Sequence, residues 1–217
     1  MPSRVSALEG VIRAMVDSYQ DNVKVWDIVV RSFHWTLVVS FTLCYVTGDE
    51  LHRLHAYLGY GILGLLAIRV VWGVLGTKHA RFSDFVYGWR KTRAYLAGLA
   101  AMRPPYYLGH NPIGGWMVVL LLVSLLLACW TGLEAYGDQG YGPLADRPPT
   151  LSSTGEKGHV ETEDELWEEL HEASVNVALF LVIIHIAGVF ISSLLHRENL
   201  VRAMWTGYKT QTKHDTT

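Results

Sequence analysis

Four apolar runs, each about as long as a bilayer core is thick, restrict this chain more than any other feature. They cover residues 25–46, 54–75, 113–133 and 173–195. About twenty helical residues cross the ~30 Å of hydrocarbon in a membrane. Runs this long and without alternation are helices, because a lone segment in lipid must satisfy its own backbone. The sequence therefore predicts an all-α fold, an integral-membrane four-helix bundle. A composition half hydrophobic but 18% charged fits spans joined by polar loops.

The first run carries Asp27 and Arg31 near its start, at i and i+4, where they can pair with each other. Trp26 and Trp35 are expected there as interfacial anchors. Residues 1–24 lack the apolar stretch and small-residue cleavage pattern of a signal peptide. They read as a retained arm, either a mobile tail or a short amphipathic helix with Val5, Leu8, Ile12 and Met15 on one side. The bundle occupies 25–207, and 208–217 form a C-terminal tail.

Lysine and arginine set the orientation. The N-terminal arm through Arg31, the loop between the second and third runs, and the C-terminal tail hold fourteen of these residues. The other two loops hold three, Arg53, Arg147 and Lys157. By the positive-inside rule both termini are expected to face the cytoplasm. The net charge of −2 conceals this segregation. Basic residues spread along a membrane face also give no reason to expect nucleic-acid binding.

Residues 134–169 are the opposite case, with ten acids against two bases. Such a loop is either simply solvated or a surface that steers a basic soluble partner. Part of its charge belongs to helix initiation, since Thr162 and Glu165 in "TEDE" fit a capping box. Cys44 and Cys129 both fall inside spans, and no C-x-x-C occurs. A disulfide framework, covalently attached c-type haem and cysteine-held iron–sulfur clusters are thereby excluded.

Ionisable side chains within spans point to function, and the histidines sort by depth. With both termini inside, His34 and His185 lie in the inner halves of the first and fourth helices. His55 and His171 lie at the outer starts of the second and fourth. His171 and His185 are fourteen residues apart, nearly four turns and ~21 Å along one helix face. The pairs are thus His34 with His185, and His55 with His171. Paired imidazoles from facing helices suit bis-histidine haem, which leaves iron no open position and favours electron transfer. Zinc would want three or four ligands; no carboxylate stands beside His34 or His185, and Glu172 leaves the outer level less clear-cut.

Arg69 lies fourteen residues beyond His55, on the same face and near the inner depth. It would bind a haem propionate or reach the inner-leaflet phosphates. His52, three residues before His55, is an alternative outer ligand or part of a haem or quinone periphery. A haem-free transporter or assembly factor with a histidine-lined path is the rival class, but no broken helices or repeated halves support it. In "GHNPIGG", Asn111 and Pro112 read as the cap and first residue of the third helix, with His110 at headgroup level. His196 ends the fourth helix within reach of headgroups, a propionate or a quinone.

The motifs "RSFHW", "LHRLHAYLGY", "RVVWGVLG", "ARFSDF", "GHNPIGGWM", "ELHEASVN", "LVIIHIAG" and "HRENLVRAMWTG" run in order through 25–207. Together they resemble the bacterial cytochrome b561 / nickel–iron hydrogenase cytochrome b family. The resemblance implies two b-type haems and exchange of electrons with quinone. It puts the axial ligands on His34, His55, His171 and His185, so His55 is favoured over His52. It further implies a periplasmic redox partner, either a hydrogenase or related dehydrogenase or a soluble cytochrome c. A free-standing superoxide:quinone oxidoreductase is the alternative within the same family.

Overall fold

The computed structural model describes residues 21–48, 51–145, 162–196 and 198–211. Four long helices dominate it: α1 (Ile28–Thr47) and α2 (His52–Leu75), then, after three shorter elements, α5 (Pro112–Asp138) and α6 (Thr162–His196). All four are long and apolar enough to cross a membrane. The chain is an all-α membrane bundle.

The helices form two hairpins, α1 with α2 and α5 with α6, which meet chiefly through α2 and α5. Their shared core is Ile62, Leu66, Leu122, Leu125 and Ala178, extended by Phe33, Leu37, Phe41, Cys44 and Cys129. The outward faces are apolar too: Val39, Val123, Phe180, Ile183 and Phe190 are all exposed. Such a surface suits lipid and would be a liability in water.

Local chemistry sets the helix ends. Asn111 Oδ1 accepts from the Gly114 amide at 2.7 Å, and Pro112 takes the first helical position, as the sequence predicts. Asp27 caps α1 by accepting from the Val30 amide at 2.8 Å, so the helix starts three residues later than the apolar run. The expected Asp27–Arg31 pair is replaced. The second Asp27 oxygen accepts from the Trp72 indole at 3.0 Å and the Thr77 hydroxyl at 2.5 Å. Arg31 turns to the Thr206 carbonyl at 3.0 Å. Burial pushes the Asp27 carboxyl up, and the hydrogen bonds from Thr77, Val30, Trp72 and Val29 outweigh it, leaving it below its ordinary value of 3.8.

The basic segment between α2 and α5 is built, not loose. It contains a 3-10 turn (Lys78–Ala80), α3 (Phe82–Phe85) and α4 (Trp89–Ala100). Helix α4 buries Thr92 and Tyr95 and exposes Arg90, Lys91 and Arg93. Two glycines dock the α3 turn: a Cβ on Gly73 would collide with the Phe82 ring, and one on Gly115 with the Phe85 carbonyl oxygen. Phe85 is consequently 1% exposed.

After α6 comes a short helix, α7 (Leu200–Thr206), capped by Asn199 and ended by Gly207 at φ +89°. A side chain at Gly207 would meet the Trp26 carbonyl at 2.7 Å, so this turn requires glycine. Strand β1 (Asp21–Lys24) then pairs antiparallel with β2 (Tyr208–Gln211). The Val25 and Trp26 amides donate to the Gly207 carbonyl. This clip brings the two described chain ends together at one end of the bundle, the clip end. The expected helical or mobile character of residues 1–20 and the capping box of Thr162 with Glu165 fall outside what is described.

Candidate haem sites between the helices

At the end far from the clip, His55 on α2 and His171 on α6 face each other with ring centroids 5.9 Å apart and planes at 89°. Each ring is held by a backbone carbonyl of a neighbouring helix. His55 Nδ1 lies 2.9 Å from the Cys44 oxygen of α1, and His171 Nδ1 lies 3.0 Å from the Ala128 oxygen of α5. A carbonyl only accepts, so in both rings Nδ1 carries the proton and donates. The neutral ring then keeps its Nε2 lone pair for a metal, the arrangement that outer-shell bonds impose on ligand histidines. Gly132 makes room for this: a Cβ there would sit 2.9 Å from His171 Cε1. Cys44 also places its sulfur 3.5 Å from His55 Nδ1, a neighbour that no motif in the sequence signals. His52, the first residue of α2, is exposed, while His55 one turn on is half-buried.

Nearer the clip, His34 on α1 and His185 on α6 lie within electrostatic range of each other. Trp35 sets its ring edge-on to His34 at 5.2 Å. Beside the pair opens a groove of about 750 Å³, whose lining includes Trp35, Val189, Ser193, Arg202 and Trp205. Among the described residues, four buried side-chain polar atoms have no hydrogen-bond partner: Arg31 Nε, His34 Nδ1, Trp35 Nε1 and His110 Nδ1. All belong to the clip end. Buried polar groups are almost always matched in native proteins, so this concentration marks where a bound polar group belongs.

Arg69 is 4% exposed, which removes the expected reach to phosphates as its resting position. It donates to the Ala80 carbonyl at 3.1 Å, and its guanidinium lies over the rings of Phe82 and Phe85 at 5.2 and 5.9 Å. His110, expected at headgroup level, packs against Trp26 and Phe85, with ring centroids 4.6 Å from each. Burial, then the nearby charges of Arg69, Lys209, His185 and His79, push its pKa down to about 3, so it is neutral at ordinary pH. Trp26, expected as an interfacial anchor, is buried by the same packing. His196 stacks edge-on with Tyr106 at 5.8 Å.

Among the described residues no three His, Cys, Asp or Glu side chains gather into a metal site. The donor sets are paired imidazoles, with cationic and ring N–H groups at one end. That chemistry fits a flat iron macrocycle with acidic side arms and fits zinc poorly.

The family model for prokaryotic cytochrome b561 matches residues 25–207. The chain belongs to the prokaryotic cytochrome b561 family. It is therefore a membrane b-type cytochrome that carries electrons, with haem b as its cofactor. Curated relatives carry the name probable Ni/Fe-hydrogenase B-type cytochrome subunit. The one from Cupriavidus necator is 25% identical, over 86% of this chain and 86% of its own length. That from Rhodobacter capsulatus is 23% identical over 87% and 82%, and that from Azotobacter chroococcum 25% identical over 88% and 89%. No solved structure gives a significant match.

Proposed function

We propose that this member of the family is a diheme cytochrome b of the bacterial inner membrane, exchanging electrons between the quinone pool and a periplasmic redox partner of the hydrogenase type. The observation that carries the haem assignment is the facing of His55 and His171, each donating through Nδ1 to a backbone carbonyl, which leaves the Nε2 lone pair as the available ligand atom. His55 and His171 would hold the outer haem. His34 and His185 would hold the inner one, with Arg69 binding a propionate. Haem would supply reversible one-electron exchange at its iron, and holding it by His34, His55, His171 and His185 would favour electron transfer over oxygen binding.

The protein's contribution is to space, ligate and shield. Thr131, which accepts or donates at 3.1 Å with Ser174 and lies 3.4 Å from His171 Nδ1, adds polar support at the outer level. Both termini are assigned to the cytoplasm. The clip supports this by holding the described ends together, on the side where Lys78, Arg81, Arg90, Lys91, Arg93 and Arg202 also lie. The printed names of the relatives favour a hydrogenase-type partner, and cytochrome c is the alternative that the acidic residues 134–169 would suit.

A reduced-minus-oxidised visible spectrum of the purified protein, with haem counted per chain, tests the assignment. Two low-spin b haems are expected, and His185→Ala is expected to lose one and keep the other. Retention of both in that variant would reject the ligand set, and absence of haem from the unaltered protein would reject the whole reading.

A further inference from the structure

His110 belongs to neither histidine pair, yet it stands in the most unusual setting of any histidine among the described residues. Four side chains stack in sequence: the Arg69 guanidinium over Phe85, Phe85 against His110, and His110 against Trp26. The stack is fixed from both sides. Gly115 admits the Phe85 backbone, and Trp26 is pinned by the hydrogen bond its amide donates to the Gly207 carbonyl. The ring is thus held in place, and its Nδ1 is sealed from solvent without a partner. A histidine fixed by its neighbours commonly turns that nitrogen to a carbonyl, as the candidate ligands His55 and His171 both do. Here it lies within electrostatic range of Arg69 and His185, among the other three unmatched polar atoms of the clip end.

Resting on the haem assignment proposed above, we infer that His110 is a positioning residue for the inner haem, donating a ring N–H to the propionate side that Arg69 also binds. Arg69 supplies the charge and His110 a neutral directional bond, and both side chains pack against the Phe85 ring. Donors to a propionate offset its negative charge and so favour the reduced, more negative haem. Removing one should lower the midpoint potential of that haem alone.

The test is a spectroelectrochemical redox titration of the purified holoprotein. His110→Phe keeps the aromatic stack and removes both nitrogens. The expected result is full haem content with a negative shift in one midpoint, equivalent to roughly a tenfold change in the reduced-to-oxidised ratio, or about 59 mV for one electron. The shifted haem should be the one that His185→Ala abolishes, and Arg69→Gln should move the same midpoint. His110→Gln, which restores a donor, should recover most of the shift. Unchanged midpoints in His110→Phe, or a shift confined to the other haem, would overturn the inference. Should His110→Phe fail to accumulate, His110→Met measures the same shift, and an unchanged midpoint there overturns the inference equally. An unaltered protein lacking two haems would instead overturn the haem assignment, and this inference with it.

Discussion

Asp27 shows how one side chain can join separate parts of the chain. Its carboxylate ends α1 and ties that end to Trp72 and Thr77, some fifty positions away. Asp27→Ala should cost about 1–3 kcal/mol, an N-cap plus two donors left unmatched, measured by thermal unfolding in detergent. The acid is held below its ordinary 3.8 when folded. Its contribution is therefore complete above the unfolded value and is lost as pH falls through the lower folded one. The stability gap between the unaltered protein and Asp27→Asn should narrow on acidification below about pH 3.8. Parallel unfolding curves down to that point and beyond would contradict the capping role. The meeting of His55 with His171 followed from counting depth along the helices, because helical rise is fixed. The packing around His110 did not, since Trp26 and Phe85 reach it from segments distant in sequence.

Among the helices, run length alone located all four spans. What it missed was structure with short or mixed patterns. The segment after α2 reads as a basic loop because its apolar side chains form no long run, yet Phe82 and Phe85 are the ones that fill notches on α2 and α5. Helix α6 begins eleven residues before its apolar run, since a helix does not stop where the hydrocarbon does. The notches are testable by comparing glycines. Gly115→Ala should destabilise the protein, because the new methyl would meet the Phe85 carbonyl. Gly59→Ala, where a Cβ meets nothing within 4 Å, should be neutral or slightly stabilising through helix propensity. Phe85→Ala should cost about 3–5 kcal/mol as a cavity in a sealed site. Equal melting temperatures for Gly115→Ala and Gly59→Ala would mean that the notch does not hold the α3 turn.

For the bundle in its membrane, charge segregation and end pairing argue for one orientation. Fusing alkaline phosphatase, which is active only outside the cytoplasm, should give inactive hybrids at either terminus and an active one within residues 146–161. An active fusion at the C-terminus would invert the molecule and exchange the inner and outer sites. In the sequence it is the lysines and arginines that argue for this orientation. The strand pairing that closes the clip end was not legible, because two four-residue strands carry almost no periodic signal. Lys209, 6% exposed and 3.2 Å from Glu198, strengthens that closure, and Tyr106 donates to the same carboxylate at 2.7 Å.

The clip joins two segments separated by most of the chain. At about 5–20 residues per second on the ribosome, roughly ten to forty seconds separate the emergence of β1 from that of β2. Both histidine pairs also need α6, the last of the four spans to enter the bilayer. Throughout that interval the first hairpin waits with His34 and His55 unmatched, and the mouth beneath it stays unlatched. Assembly of this molecule therefore has a built-in order, in which both histidine pairs and the clip are completed only after the last span and the final strand have been made.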